Sequence, residues 1–203
     1  MSSNEAIRFL KKDPKFSVII KQVGEYNVKI TKNRYQSLIE AIIAQQLSGS
    51  AAESILKKFK KLYKTKFPKP IEVIKTPDSK LRSAGLSKMK ISYIKDLSKK
   101  IETNQLNMRN ILTKNDEYIV KQLTNVKGIG RWTAEMFLIF SLGRLDVLPV
   151  GDLGLKKGIQ LMFSLDELPN EKEIEQIAES WKPYRTVATW YLWKSLQKFD
   201  NIG

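Results

Sequence analysis

Apolar residues in this chain recur at steps of three and four rather than in alternation. Leu38, Ile39, Ile42 and Ile43 form one such stripe; Ile55, Phe59 and Leu62 form a second; Ile91, Ile94 and Leu97 form a third. That spacing puts each set on one face of an α-helix, whose period it matches. Only 10 glycines and 7 prolines interrupt the 203 residues, so breaks are few. The expected fold class is all-α. Helices are expected over residues 6–10, 16–23 (ended by Gly24) and 34–45, with Ser50 capping the next. Thr76 reads as an N-cap with Pro77 in the first helical position, and that helix ends at Gly85. Ser87 caps a helix over 88–101 and Asn115 another that enters a turn at 123–130. Further helices are expected around 155–163, 171–179 and 183–199.

A chain of this length buries a good core in one domain or two small lobes. Its formal charge of +15 points to a polyanionic partner, nucleic acid first, with solubility through lysine as the plain alternative. Lys57, Lys58, Lys60, Lys61 and Lys64 read first as a solvated helix face, with a DNA role as the alternative. There is no Cys and no His. Disulfides, thiol nucleophiles, cysteine-held clusters, imidazole acid–base chemistry and His-ligated metals are thereby excluded. Residues 1–12 lack the apolar run of a signal peptide, and no segment approaches the length of a membrane span. The expected setting is the cytosol beside DNA, a nucleoid in a prokaryote or the nucleus in a eukaryote.

Residues 123–154 carry the chemistry. The stretch opens as Leu-x-x-Val-x-Gly-Ile-Gly, continues through an apolar segment, and ends on Pro149-Val-Gly-Asp152. Gly128 and Gly130 flank a turn that leads into a helix, where glycine accepts positive φ and lets backbone approach a ligand. The helix beginning near Arg131 offers amide N–H groups and a positive dipole end, a natural cradle for phosphate. Leu123, Val126 and Ile129 plug the turn into the core. Taken alone, the glycines also fit an ordinary tight turn between helices, and Asp152 fits an N-cap of the next helix.

The hairpin at 123–130, the loop at 148–151 and the Asp152 that follows together resemble the helix-hairpin-helix DNA glycosylases. Gly-Arg-Trp-Thr-Ala at 130–134, Ile-Ile-Ala-Gln-Gln-Leu-Ser-Gly at 42–49 and Trp-Lys-Pro-Tyr-Arg at 181–185 are similar to the 3-methyladenine DNA glycosylase II branch of that HhH-GPD superfamily. The resemblance spans about residues 35–193. It implies a two-lobed helical domain, with residues 35–140 as the interior lobe and 1–34 plus 141–203 as the other, and a cleft between them.

It also implies roles. Asp152 becomes the catalytic carboxylate, stabilising the positive charge that develops on the sugar as an N-glycosidic bond breaks. Relatives that also cut the strand carry a Schiff-base Lys where this chain has Trp132, which cannot form an imine. A monofunctional hydrolase acting on alkylated purines is therefore expected. Trp132 and Trp193 would form the base pocket, since an electron-rich indole face attracts a flat cationic base. Met136 replaces a pocket aromatic of the family and leaves a softer wall. Trp190 and Tyr191 serve equally well as core.

DNA contacts are implied for Gln45, Gln46, Gly128, Gly130, Arg131, Thr133, Arg82, Ser87 and Lys88. Gln46 corresponds to the wedge that fills the gap left by an extruded base. No cofactor is required. A Na+ or K+ ion held by the carbonyls of Thr124, Val126 and Ile129 is implied as a structural element. The expected partner of this monomer is duplex DNA containing alkylated bases, with no membrane. The rival from another class is a non-catalytic helix-hairpin-helix DNA-binding module, which needs neither Asp152 nor a tryptophan pocket.

Overall fold

The computed structural model describes residues 3–199, and among these every regular element is helical. The chain divides into two compact units, Thr31–Phe137 and the residues on either side of it. These units divide at 30/31 and 137/138, where sequence reasoning sets lobe boundaries at 34/35 and 140/141.

The Thr31–Phe137 unit holds α3 (Arg34–Ala44), α4 (Gly49–Lys61), α5 (Pro70–Lys75), α6 (Asp78–Ser83), α7 (Lys88–Glu102), a 3-10 turn (Ile111–Thr113) and α8 (Asp116–Thr124). The chain leaves it within α9 (Arg131–Phe140). Helix α7 is its axis, packed on α3, α5 and α6. Ile91, Ile94 and Leu97 are buried, as are Leu38, Ile39, Ile42 and Ile43 of α3. Each such side chain contributes about 1.5–3 kcal/mol by leaving water. The lysines of α4 lie outward, except that Lys60 pairs with Glu40 at 3.0 Å.

The other unit holds α1 (Ser3–Leu10), α2 (Pro14–Val23), α10 (Leu153–Phe163), α11 (Glu171–Ala178), a 3-10 turn (Glu179–Trp181) and α12 (Arg185–Phe199). Here α12 is central, with α1, α2 and α10 around it. Val187, Ala188, Tyr191 and Leu192 are fully buried, and Trp181 meets Phe16 edge to face at 5.4 Å. Trp190 and Tyr191 both belong to this core.

Local capping explains where the observed helices depart from the expected ones. Ser48, not Ser50, caps α4: it has the extended backbone of a cap and accepts from the Ala51 N–H. Thr76 closes α5 instead of opening α6, because its hydroxyl and N–H both donate back to Glu72 O. Pro77 thus becomes the N-cap of α6, which ends at Ser83 rather than Gly85. Asp13 caps α2 two residues earlier than the apolar spacing suggests. The last helix starts at Arg185 rather than at residue 183, after the cis Lys182–Pro183 peptide. Among the described residues no helix is long and apolar enough to cross a membrane.

Candidate active site and hairpin

Within the Thr31–Phe137 unit, α8 begins on Asn115, whose side chain accepts from the Tyr118 N–H at 2.8 Å. The turn after Thr124 is closed by Val126 N–H to Leu123 O at 2.9 Å and Ile129 N–H to Val126 O at 3.1 Å. Leu123, Val126 and Ile129 are buried, as the sequence pattern anticipates. The two hairpin glycines differ. Gly128 sits at φ +78°, and a Cβ there would lie 2.0 Å from the Tyr93 ring. Gly130 does not have positive φ and faces open space, which corrects the expectation that both glycines serve the same conformational need. What Gly130 supplies is unobstructed backbone ahead of Arg131, and α9 then begins its ladder with Ala134 N–H to Gly130 O.

One face of α7 grips this hairpin, which no local motif announces. Tyr93 lies under Gly128. Three residues on, Asp96 accepts the Lys127 N–H at 2.9 Å and pairs with Lys100 at 2.9 Å. Burial alone would raise the Asp96 carboxyl; the Lys127 amide and the Lys100 ammonium outweigh it and hold it below its ordinary range. Three residues before Tyr93, Lys90 donates to Ile43 O at 2.7 Å and Gln45 O at 2.8 Å, and burial lowers its pKa. The Gln45 side chain in turn donates to Gly128 O at 2.7 Å. Gln46 is exposed, with φ +55°.

The other expected DNA contacts vary in availability. Arg82, Ser87 and Lys88 are exposed, although the Ser87 hydroxyl also accepts the Lys90 N–H as the α7 cap. Arg131 is exposed but engaged, with both oxygens of Glu117 at 3.0 Å from one of its nitrogens. Such a surface pair is worth about 1 kcal/mol or less, so a phosphate can compete for it. The Thr133 side chain is only 8% exposed, turning inward from the first turn of α9. Trp132 is 50% exposed, and Met136 follows one turn later, half-buried.

In the other unit, Asp152 is the N-cap of α10, and its Oδ1 accepts the Leu155 N–H at 2.7 Å. The same oxygen accepts the Trp193 Nε1–H at 2.7 Å, from 41 residues away. This approach needs glycines. A Cβ on Gly154 would lie 2.8 Å from Trp193, and one on Gly158 would lie 2.7 Å from Leu192. Helices α10 and α12 therefore meet at a Gly-x-x-x-Gly face. Trp193 also stacks on Phe140, with centroids 6.2 Å apart and planes at 21°. A cavity of about 550 Å³ opens beside the pair, lined by Phe140, Trp190, Trp193, Lys194 and Val28.

The loop before Asp152 is strapped to the start of α12. Asp146 accepts from Arg185 Nε and Nη2, each at 2.8 Å, and Thr186 Oγ1 accepts the Val147 N–H at 2.9 Å. Cap, strap and indole together hold one carboxylate in one orientation. Asp146, Phe140 and Gly154 escaped sequence reasoning. The only available hint was the i+4, i+8 succession of Met136 and Phe140 after Trp132. Among the described residues no cluster of three or more acidic side chains could hold a metal.

Residues 39–183 match the model of the HhH-GPD superfamily of base excision DNA repair proteins. The chain is 35% identical to the alkylbase DNA glycosidase-like protein mag2 of Schizosaccharomyces pombe, over 90% of this chain and 88% of that one. It is similar to the solved 3-methyladenine DNA glycosylase of Schizosaccharomyces pombe in complex with abasic DNA, with TM-score 0.84 and 34% identity over 95% of this chain and 97% of that one. It is also similar to the DNA-3-methyladenine glycosidase of Bacillus halodurans, with TM-score 0.86 and 37% identity over 95% and 89% of the two chains.

Proposed function

Since this chain belongs to the HhH-GPD superfamily of base excision DNA repair proteins, we propose that it is a monofunctional DNA glycosylase removing alkylated purines, such as 3-methyladenine and 7-methylguanine, from duplex DNA. The observation that carries the proposal is the Asp152 carboxyl, held on one oxygen by the Leu155 amide and the Trp193 indole. A helix cap alone requires the first of these bonds and has no use for the second.

In the proposed reaction the bond from C1′ to the base nitrogen breaks, and its electron pair passes to the base, cancelling the positive charge that alkylation placed there. The sugar becomes oxocarbenium-like, and Asp152, already oriented, stabilises it. Water adds to C1′ through an oxygen lone pair and releases its proton to bulk solvent. Preorganised groups of this kind contribute about 3–4 kcal/mol to a transition state. Because the leaving group is activated by its own charge, a chain without His suffices. Neutral lesions such as hypoxanthine should react more slowly.

The other roles belong to the same proposal. The Trp193 indole face attracts a cationic base, and Trp132 and Met136 of the other unit offer the same aromatic attraction and an adaptable side chain. Gln46 occupies the space of the extruded nucleotide. The hairpin amides around Gly128 and Gly130, with Arg82 and Lys88, hold phosphates for a monomeric enzyme. The C-terminal turn of α8 presents carbonyl oxygens, a hard donor set that suits an alkali cation. Val126 O keeps a second lone pair beside its bond from Ile129. Thr124, Val126 and Ile129 would hold such an ion, adding positive charge at the hairpin.

The test is incubation of the protein with methylated duplex DNA, measuring free base, strand integrity and borohydride trapping. Released 3-methyladenine with an intact abasic strand and no trapped complex is the expected result. DNA binding without base release would favour the non-catalytic module. Trapping abolished by mutating one lysine would replace hydrolysis with lyase chemistry.

A further inference from the structure

Gln46 is an exposed residue with a full side chain, held in left-handed backbone at φ +55°. Such a conformation persists only where the surroundings impose it. Here the imposing group is visible. Lys90, from α7, places its ammonium between Ile43 O at 2.7 Å, in the last turn of α3, and Gln45 O at 2.8 Å, just past its end. Leu47 N–H to Ala44 O closes that turn at 3.2 Å. Gln45, between Lys90 and Gln46, sends its own side chain to Gly128 O. Lys90, Tyr93 and Asp96 follow at three-residue steps on α7, and the latter two hold Gly128 and Lys127.

We propose that Lys90 is a positioning residue that fixes the left-handed turn displaying Gln46, in register with the hairpin that the same face of α7 holds through Tyr93 and Asp96. The ammonium does the work of a helix C-cap, satisfying terminal carbonyls with a cation at the negative end of the α3 dipole. Lys90 touches no DNA in this arrangement; it acts through Gln46. The proposal rests on the glycosylase reading, because a displayed glutamine matters only if a nucleotide leaves the stack.

The test is a double-mutant cycle on DNA binding, with melting temperature as control. Wild type, Lys90→Met, Gln46→Ala and the double variant are titrated with a duplex carrying a tetrahydrofuran abasic analogue and with the same duplex undamaged. Wild type should prefer the abasic duplex. Lys90→Met should lose about tenfold of that preference, as expected for a charged hydrogen-bonding group, while binding undamaged DNA as wild type does. The double variant should lose no more than the worse single variant, because both changes remove one effect. Losses that multiply, or Lys90→Met weakening both duplexes equally, would overturn the proposal. If Lys90→Met does not fold, Lys90→Gln, which keeps a donor, should lose less preference, and that loss should vanish in the Gln46→Ala background; its persistence there would also overturn the proposal. A wild type without preference for the abasic duplex would overturn the glycosylase reading and this proposal with it.

Discussion

Helices α9 and α10 both begin on a loop rich in glycine, yet the two starts are built for opposite charges. Before α9 comes Gly130, with no side chain, so backbone is what that helix end presents. Before α10 comes Asp152, whose carboxyl sits on the helix's own amide at 2.7 Å. A helix start attracts anions through its dipole and its amides. The α9 start leaves that attraction for an outside anion; the α10 start meets it with an anion of its own, which Trp193 then keeps aimed. On the proposed function, one device would grip phosphate at the first site and stabilise a cation at the second. Their supports differ accordingly: α7 braces the first through Tyr93 and Asp96, and α12 braces the second through Trp193.

The largest expected effect comes from removing the charge at the second start. Asp152→Asn keeps the size and the capping ability of the side chain, so melting temperature and duplex affinity should hold. Single-turnover release of 3-methyladenine should fall by about two to three orders of magnitude. Next comes the brace of the first start. Gly128→Ala adds a Cβ into the Tyr93 ring at a positive φ, a strain of about 1–3 kcal/mol. Thermal melting should register that loss, and duplex binding should weaken roughly equally for all sequences. Gly130→Ala meets nothing and should alter stability little, which a parallel melt would show. Equal destabilisation by the two alanines would break the distinction drawn between them. The smallest effect on excision is expected at the indole. Trp193→Phe keeps a ring to stack on Phe140 but removes the donor to Asp152, so excision should slow by about five- to tenfold with affinity for undamaged duplex unchanged. A rate equal to wild type would reduce the Trp193 hydrogen bond to a packing detail.

What the sequence disclosed followed the range of the interaction. The all-α class and the buried stripes of α3 and α7 were legible because helical period is local. So were the caps Ser87 and Asn115, each bonding three residues ahead. Reading Ser50 and Thr76 as N-caps fails for a related reason: neighbouring residues compete for one helix end, and the outcome depends on which backbone group a hydroxyl meets. Family resemblance names the candidate site residues but not the bonds among them. Asp152 meets Trp193 across 41 residues, and Gln45 meets Gly128 across 83. Spacing within one helix says nothing about such pairs. Thr133 shows a further limit: its motif position beside Trp132 does not disclose that the helical period turns its side chain into the core.

The separation of grip from chemistry is tested most directly by following single-turnover excision of 3-methyladenine as enzyme concentration rises, for wild type, Gly128→Ala and Asp152→Asn. A variant with weakened grip should need more enzyme yet reach the wild-type plateau. A variant without the Asp152 charge should saturate at wild-type concentrations on a plateau lower by about two orders of magnitude or more. A well-folded Asp152→Asn protein that reaches the wild-type plateau would contradict the account and leave Asp152 as a helix cap.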